Sequence, residues 1–480
     1  MLFLALTLCA FPGIAQTAII SGQIRNATPG AVVEIFVPHH YLDGRDGHFR
    51  FGLDGQLRFS IDVVVPEPQL AFVIFNDDRL PVFLSKDDTL ILKADAFQFP
   101  LAVSFSGKSA ANNRLLQEFL HQNPLDFNEF NNIRFKIGQY WTVIEMSLND
   151  RMENLQPIEF KAYLDSLKFV SIALYERSGS LFDQESGDKL NWITDDFAQW
   201  LTTEITYFWA YHLLVYGHVY GGRYNIQADF FDFLYEAPII NESIGSDWYR
   251  RFLLAFMARQ EAKSGNGADD FWTGQYQRAS KLLSGKALAF FRSEIISTAF
   301  SAENFRDLLP IYTDFMQTNE YVAFDEKVEG LYQRYAHVFP GTAAPTFRAM
   351  DANGNEISLL QLRGKVVYLN FWASWCGACL RKMEFMGNYE SEFTANNIVI
   401  VNVSIDESPT NWRSALVEHQ FKGQHLLAST GLGRNIAAVF GVEAIPQYFI
   451  IGRTGNFEEK AASNQPADIR QQLLIIAGRR

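Results

Sequence analysis

Cys376 and Cys379 are the residues whose types and spacing can do chemistry, a Cys-Gly-Ala-Cys pair set where an apolar run ends and a helical pattern begins. The chain holds 3 cysteines, and the third, Cys9, lies in an N-terminal leader-like run. Once that run is removed, the pair can act only with itself or with a cysteine on another molecule. A cysteine in the first turn of a helix faces several backbone N–H groups that lack intrahelical partners, beside the positive end of the helix dipole. Both stabilise thiolate over thiol and draw the pKa down from about 8.5 toward neutrality. Cys379, three residues on, falls on the same face about 5–6 Å away by Cβ, within reach of a bridge. The expected reaction is exchange. Cys376 attacks a substrate disulfide, a mixed disulfide forms, and Cys379 resolves it, leaving the protein oxidised and the substrate reduced.

Other uses of two thiols fit less well. A zinc site needs about four ligands, whereas this region offers two sulfurs and the histidines His419 and His425 at no completing spacing. No metal and no cofactor is expected. A static structural disulfide remains an alternative, but a tight pair at a helix start is poorly placed to staple a fold.

The pair must be positioned by an α/β region. Val366 to Phe371 and Ile398 to Ile405 are largely apolar runs, as strands buried on both faces read. Helical stretches are expected from Cys376 to about Asn396 and from Asn411 to about Gln420. A strand Gln447–Ile451, a Gly452-Arg453-Thr454-Gly455-Asn456 turn and a final helix from Pro466 to Ala477 follow. The linker-like Phe339-Pro340-Gly341-Thr342-Ala343-Ala344-Pro345 marks where this region starts.

At 480 residues the chain is too long for one core, and 48% hydrophobic residues, 42 of them Phe, can fill several. Short strands separated by Gly, Asp and Pro clusters run from Ala18 to about Ser106, among them 31–37, 56–63 and 89–93; the pattern predicts an antiparallel β-sandwich. From Ala110 to about Val338 the period turns helical, with Leu115, Leu116, Phe119 and Leu120 on one face and Phe252, Leu253, Phe256 and Met257 on another, for about eight helices. The expected organisation is a leader at 1–16, a β-sandwich at 17–106, an α-helical domain at 107–338 and an α/β domain at 339–480. A net charge of -13 argues against a nucleic-acid partner, since phosphate binding needs clustered Lys and Arg.

Leu2 to Phe11 is apolar and too short to span a bilayer, but it fits the apolar region of a secretory signal. No Lys or Arg precedes Arg25, a departure from that pattern; a buried N-terminal strand is the other reading. Lipidation of Cys9 is an alternative to its removal, against which the bulky Leu8 argues. Export to the periplasm or cell envelope is the expectation. Such proteins usually spend cysteines on structural disulfides, so a single pair in so large a chain is left free for chemistry.

The run Phe371-Trp372-Ala373-Ser374-Trp375-Cys376-Gly377-Ala378-Cys379 resembles the active-site turn of the thioredoxin superfamily. Ala344-Pro345-Thr346-Phe347, Leu359 to Leu362, Arg363-Gly364-Lys365-Val366-Val367 and Val442-Glu443-Ala444-Ile445-Pro446-Gln447 resemble its TlpA/ResA-like exported branch. The sandwich and helices more loosely resemble the N-terminal extension of many such proteins. The resemblance covers residues 340–478 and implies a thioredoxin-like fold and thiol–disulfide exchange outside the cytoplasm, often as a reductant. It implies Cys376 as nucleophile and Cys379 as resolving thiol, which together form the redox-active disulfide. It also implies a cis-Pro446 beside the pair, an Ile445 backbone that pairs with a substrate strand, and Trp375 on the docking surface; packing is the plainer role for Trp375. The implied partners are proteins carrying disulfides and, since the periplasm is oxidising, a membrane thiol electron donor.

The chain departs from the family in three places. Leu369 and Ala373 stand near where peroxide-reducing relatives carry Pro and Thr. Asn370 replaces the buried Asp of thioredoxins proper. Lys382 and Glu384 stand where ResA-like members carry Glu and Pro. Lys382 reads as part of a solvated helix face, with an electrostatic pull on a thiolate as the alternative. Exported disulfide reduction is the leading expectation. An oxidant or isomerase, and a binding scaffold with a vestigial redox domain, are its rivals.

Overall fold

The N-terminal strands alternate buried and exposed residues, as strands with one face on a core must. The computed structural model describes residues 17–39, 46–122, 148, 151–186, 193–264, 271–301, 305–430, 435–442, 444–460 and 466–478. The leader at 1–16, with Cys9, lies outside them, as do the glycines at 265–267. By its contacts the chain divides into two units, residues 1–267 with 278–291 and residues 268–277 with 292–480. The helical stretch expected at 107–338 is thus shared between them.

The first unit holds β1 (Thr17–Arg25), β2 (Val32–Val37), β3 (Gly47–Gly52), β4 (Arg58–Val64), β5 (Gln69–Phe75), β6 (Asp78–Leu84), β7 (Thr89–Asp95) and β8 (Val103–Ser106). They form two four-stranded sheets, ordered β4-β1-β7-β8 and β3-β2-β5-β6, which share one apolar core around Ile20, Val33, Ile35, Val73, Val82 and Leu92. The expected wholly antiparallel sandwich needs correcting in one respect. β1 pairs with β7 in parallel, Ile20 opposite Leu90 and Gly22 opposite Leu92. A parallel neighbour needs a crossover, and the strands of the second sheet supply it.

Helices α1 (Ala110–Gln122), α2 (Pro157–Ser186), α3 (Asp195–Val219) and α4 (Asp247–Ser264) follow in this unit. α1 closes the open edge of β6: the Asn113 side chain accepts from the Phe83 N–H at 2.8 Å and donates to the Phe83 carbonyl at 3.0 Å. Gln117 donates to the Pro81 carbonyl at 2.8 Å. An edge strand's free backbone groups are thereby paired inside the chain. Phe83 itself packs with Leu115, Phe119, Phe197 and Trp200. α3 covers the apolar stretch 197–216 and buries both Glu204 and His212.

The second unit carries α5 (Phe305–Thr318), α6 (Val322–Tyr335) and the α/β region. Tyr312 stacks on Tyr332 at 4.4 Å between ring centres, and Tyr332 packs on Phe339 at 5.1 Å, which ties these helices to the segment that opens the α/β fold. A short hairpin, β9 (Arg348–Met350) and β10 (Glu356–Ser358), comes first. The five-stranded sheet is ordered β13-β12-β11-β14-β15, from β11 (Val366–Trp372), β12 (Ile398–Ser404), β13 (Gln424–Leu427), β14 (Gln447–Ile451) and β15 (Phe457–Lys460). β11, β12 and β13 run parallel; β14 is antiparallel to β11, and β15 to β14. All seven residues of β11 are buried, as a central strand covered on both faces requires.

The helix expected from Cys376 to Asn396 is two. α7 (Gly377–Gly387) ends at Gly387 and α8 (Glu390–Ala395) starts after Asn388 and Tyr389. α9 (Pro409–His419), a single turn α10 (Ile436–Val439) and α11 (Pro466–Gly478) finish the fold. Among the described residues no helix is long and apolar enough to cross a membrane.

Candidate active site

β11 is buried to its end and delivers the chain at Ala373-Ser374-Trp375, where a turn leads into α7. Cys376 is the N-cap of α7, and its Sγ accepts from the Cys379 N–H at 3.2 Å. Cys376 and Cys379 are joined by a disulfide, with their Cα atoms 5.3 Å apart. The two sulfurs differ in access: Cys376 is 9% exposed and Cys379 fully buried. An incoming disulfide can reach only the first. When the bridge opens, the N–H already aimed at Cys376 Sγ meets a thiolate, and such charge-assisted hydrogen bonds are about twice as strong as neutral ones.

Trp375 projects from the turn, 70% exposed. The Ile445–Pro446 peptide is cis, both residues are half-buried, and Ile445 packs on the cluster of Trp372, Ala373, Cys376, Cys379 and Met383. All five site residues expected from the sequence therefore gather at one end of the sheet. Among the described residues no group of three or more His, Cys, Asp or Glu could hold a metal ion. His425 is tied to the Phe421 carbonyl at 3.0 Å, its pKa lowered by burial, and His419 stacks on the Phe421 ring.

The sequence reading missed Asp406. This buried carboxylate accepts from the Ser374 N–H at 2.9 Å, the Ser374 hydroxyl at 2.7 Å and the Ser404 hydroxyl at 2.6 Å. It moors the turn before Cys376 to the end of β12. The one available signal was an acidic residue directly after an apolar strand run, which alone points to no partner.

Residues 339–472 match the family model described as Redoxin. Over 125 residues the chain is 28% identical to the thiol-disulfide oxidoreductase ResA of Bacillus thuringiensis (strain Al Hakam), covering 26% of this chain and 70% of that protein. ResA of Bacillus subtilis (strain 168) is 31% identical over 118 residues, covering 24% of this chain and 63% of that protein. This part of the chain is a TlpA/ResA-like domain of the thioredoxin superfamily. A solved thiol:disulfide interchange protein of the thioredoxin family from Chlorobium tepidum TLS is 21% identical, with a TM-score of 0.26, covering 28% of this chain and 97% of that one.

Two features of this TlpA/ResA-like domain bear on the pair. Asn370 is buried on β11 and donates to the Asn402 side chain on β12 at 2.8 Å, and Asn402 donates to the Lys422 carbonyl at 3.1 Å. A neutral amide pair thus crosses the centre of the sheet. Lys382 overturns the solvated-face expectation: it is 8% exposed, whereas Glu384 is exposed. The helical period explains it, since Cys379, Lys382, Met383 and Met386 form one stripe of α7 that faces the core. Burial lowers the Lys382 pKa to about 8.

Proposed function

We propose that this thiol–disulfide oxidoreductase is exported to the periplasm or cell envelope and reduces disulfides in other proteins. The observation that carries the reading is the asymmetry of the pair: one cysteine at a helix start and 9% exposed, the other fully buried one turn along. In its dithiol form Cys376 attacks a substrate sulfur as thiolate; the substrate disulfide breaks, and the departing substrate thiolate takes a proton from water. Cys379 then attacks Cys376 Sγ, the mixed disulfide breaks, and the second substrate thiolate leaves. The substrate gains two electrons and the pair becomes a disulfide. A dithiol donor of the membrane must return those electrons. Trp375 and the Ile445 backbone before cis-Pro446 form the substrate-docking surface. The leader at 1–16 directs export.

Turnover of a protein disulfide by the full chain tests this, with Cys376→Ser as control. The parent is expected to turn over and the control to lose activity; equal rates would make the redox domain vestigial and the chain a scaffold. Cys379→Ser is expected to accumulate mixed disulfides on Cys376. A reduction potential near about -120 mV, the value of a strong oxidant, would overturn the reducing direction.

A further inference from the structure

Lys382 is the one charged residue on the buried stripe of α7. It follows Cys379 by three residues, so the two are surface neighbours on the helix. Helical side chains lean toward the N-terminus over the preceding turn, here the turn that carries Cys379. Among the described residues its ammonium has no hydrogen bond or ion pair. Its contact is with the face of Tyr448, 4.1 Å from the ring centre. Tyr448 stacks on Tyr368 at 5.7 Å, and neither hydroxyl has a hydrogen-bond partner among the described residues.

The surrounding charges do not balance it. From β14 and β11 the titratable groups are Tyr448 and Tyr368, and burial pushes both phenols up, so they stay neutral. From α11 the charged residues are Asp468, which is exposed, and Arg470, which is paired with Glu392 at 2.6 Å. Arg381 and Glu384 on α7 itself are exposed. A buried cation without an anion is costly. Reduction of the pair supplies the anion.

We propose that the Lys382 ammonium is the counter-charge of the Cys379 thiolate in the reduced pair, the charge that makes the resolving sulfur a nucleophile. This rests on the exchange reaction proposed above. A donor thiolate bonds to Cys376 Sγ and Cys379 departs as a thiolate against the ammonium. The donor's second thiolate then displaces Cys376, which takes a proton from water, and the donor closes its own disulfide, so two electrons have passed to the pair. In resolution that thiolate bonds to Cys376 Sγ, while the substrate thiolate leaves and takes a proton from water.

Proton uptake follows from the lysine's charge. Below about pH 8 the ammonium is already present in the oxidised protein. Above it the oxidised protein holds a neutral amine, and forming the thiolate draws a proton onto that amine. Reduction then takes up one additional proton, and its equilibrium constant falls a further tenfold per pH unit, 29.6 mV for two electrons.

The test equilibrates the full chain with a dithiothreitol redox buffer from about pH 6 to about pH 10, across the lysine range, and reads the disulfide fraction by thiol labelling. Near neutral pH, Lys382→Met is expected to favour the disulfide about tenfold over the parent, since a neighbouring opposite charge shifts a pKa by about 1–3 units. It should also lose the steepening above pH 8. Lys382→Arg keeps the charge at every pH tested, so it should restore the neutral-pH equilibrium and still lack the steepening. Superimposable curves for parent and Lys382→Met overturn the proposal. If Lys382→Met does not fold, Lys382→Arg decides alone, and a steepening kept in that variant overturns it. A pair that equilibrates with the buffer in this way but never turns over a protein substrate sinks the proposed function and leaves the role of Lys382 standing.

Discussion

Asp406 holds Ser374 by both of that residue's polar handles, the backbone N–H at 2.9 Å and the hydroxyl at 2.7 Å, two positions before Cys376. The carboxylate is itself braced by the Ser404 hydroxyl. Asp406→Ala removes the acceptor and leaves buried donors unpaired, a loss of about 2–4 kcal/mol for a charge-assisted network. Urea unfolding of the oxidised protein should show it. A change under about 0.5 kcal/mol, the range of ordinary surface substitutions, would mean that the turn is held by something else.

What could be read ahead of the structure was what a short window carries. Cys376 and Cys379 stand where an apolar strand pattern meets a helical one, and Val366 to Phe371 is dense enough in apolar residues to demand cover on both faces. What could not be read depends on partners far along the chain. Asp406 meets Ser374 across 32 residues. The parallel pairing of β1 with β7 joins strands about seventy residues apart. β13 and β15 are four residues each, at the sheet edges, too short for a periodic signal. Lys382 is a different case. The period from Cys379 to Met386 already placed it on the inward stripe, and its charge alone argued for solvent.

Trp375 is exposed and lies next to the reachable sulfur, so its contribution should appear in substrate capture rather than in the fold. Trp375→Ala is expected to leave thermal stability within about 0.5 kcal/mol of the parent. It should lower kcat/KM for a protein disulfide about tenfold, the loss of one well-packed aromatic contact, and leave the rate with a small-molecule disulfide unchanged. Equal loss on both substrates would place Trp375 in support of Cys376 rather than on the docking surface.

Asn370→Asp puts an ionisable group where the structure uses a neutral amide. Protonated, the new acid can donate to Asn402 as the amide does. Ionised, it is a desolvated charge facing an acceptor, so its folded pKa must rise above the unfolded value of about 3.9. A raised carboxyl pKa means the folded state binds more protons than the unfolded one. The variant should therefore match the parent in acid and lose stability as pH rises through the folded pKa. Denaturation midpoints at acid and neutral pH check it; a variant equally stable at both would show that the amide pair tolerates a charge.

Glu204 applies the same reasoning to the first unit, far from the thiols in sequence. It is buried on α3, and its carboxylate accepts from the Asp247 N–H at the start of α4 at 3.0 Å. Desolvation foremost, and then the neighbouring Asp247 charge, raise its pKa to about 7 against an ordinary 4.5. Between those two values the folded state binds the proton more tightly than the unfolded chain does. Stability from this group is fully present below about pH 4.5 and is lost as pH rises through about 7. Glu204→Gln keeps an oxygen to accept the Asp247 N–H and cannot ionise. It should match the parent in mild acid and exceed it above neutrality by about 1–3 kcal/mol, the scale of a shift of this size. Thermal unfolding of the two proteins on either side of neutrality decides the point, and parallel pH profiles would show that the carboxyl stays charged where it is.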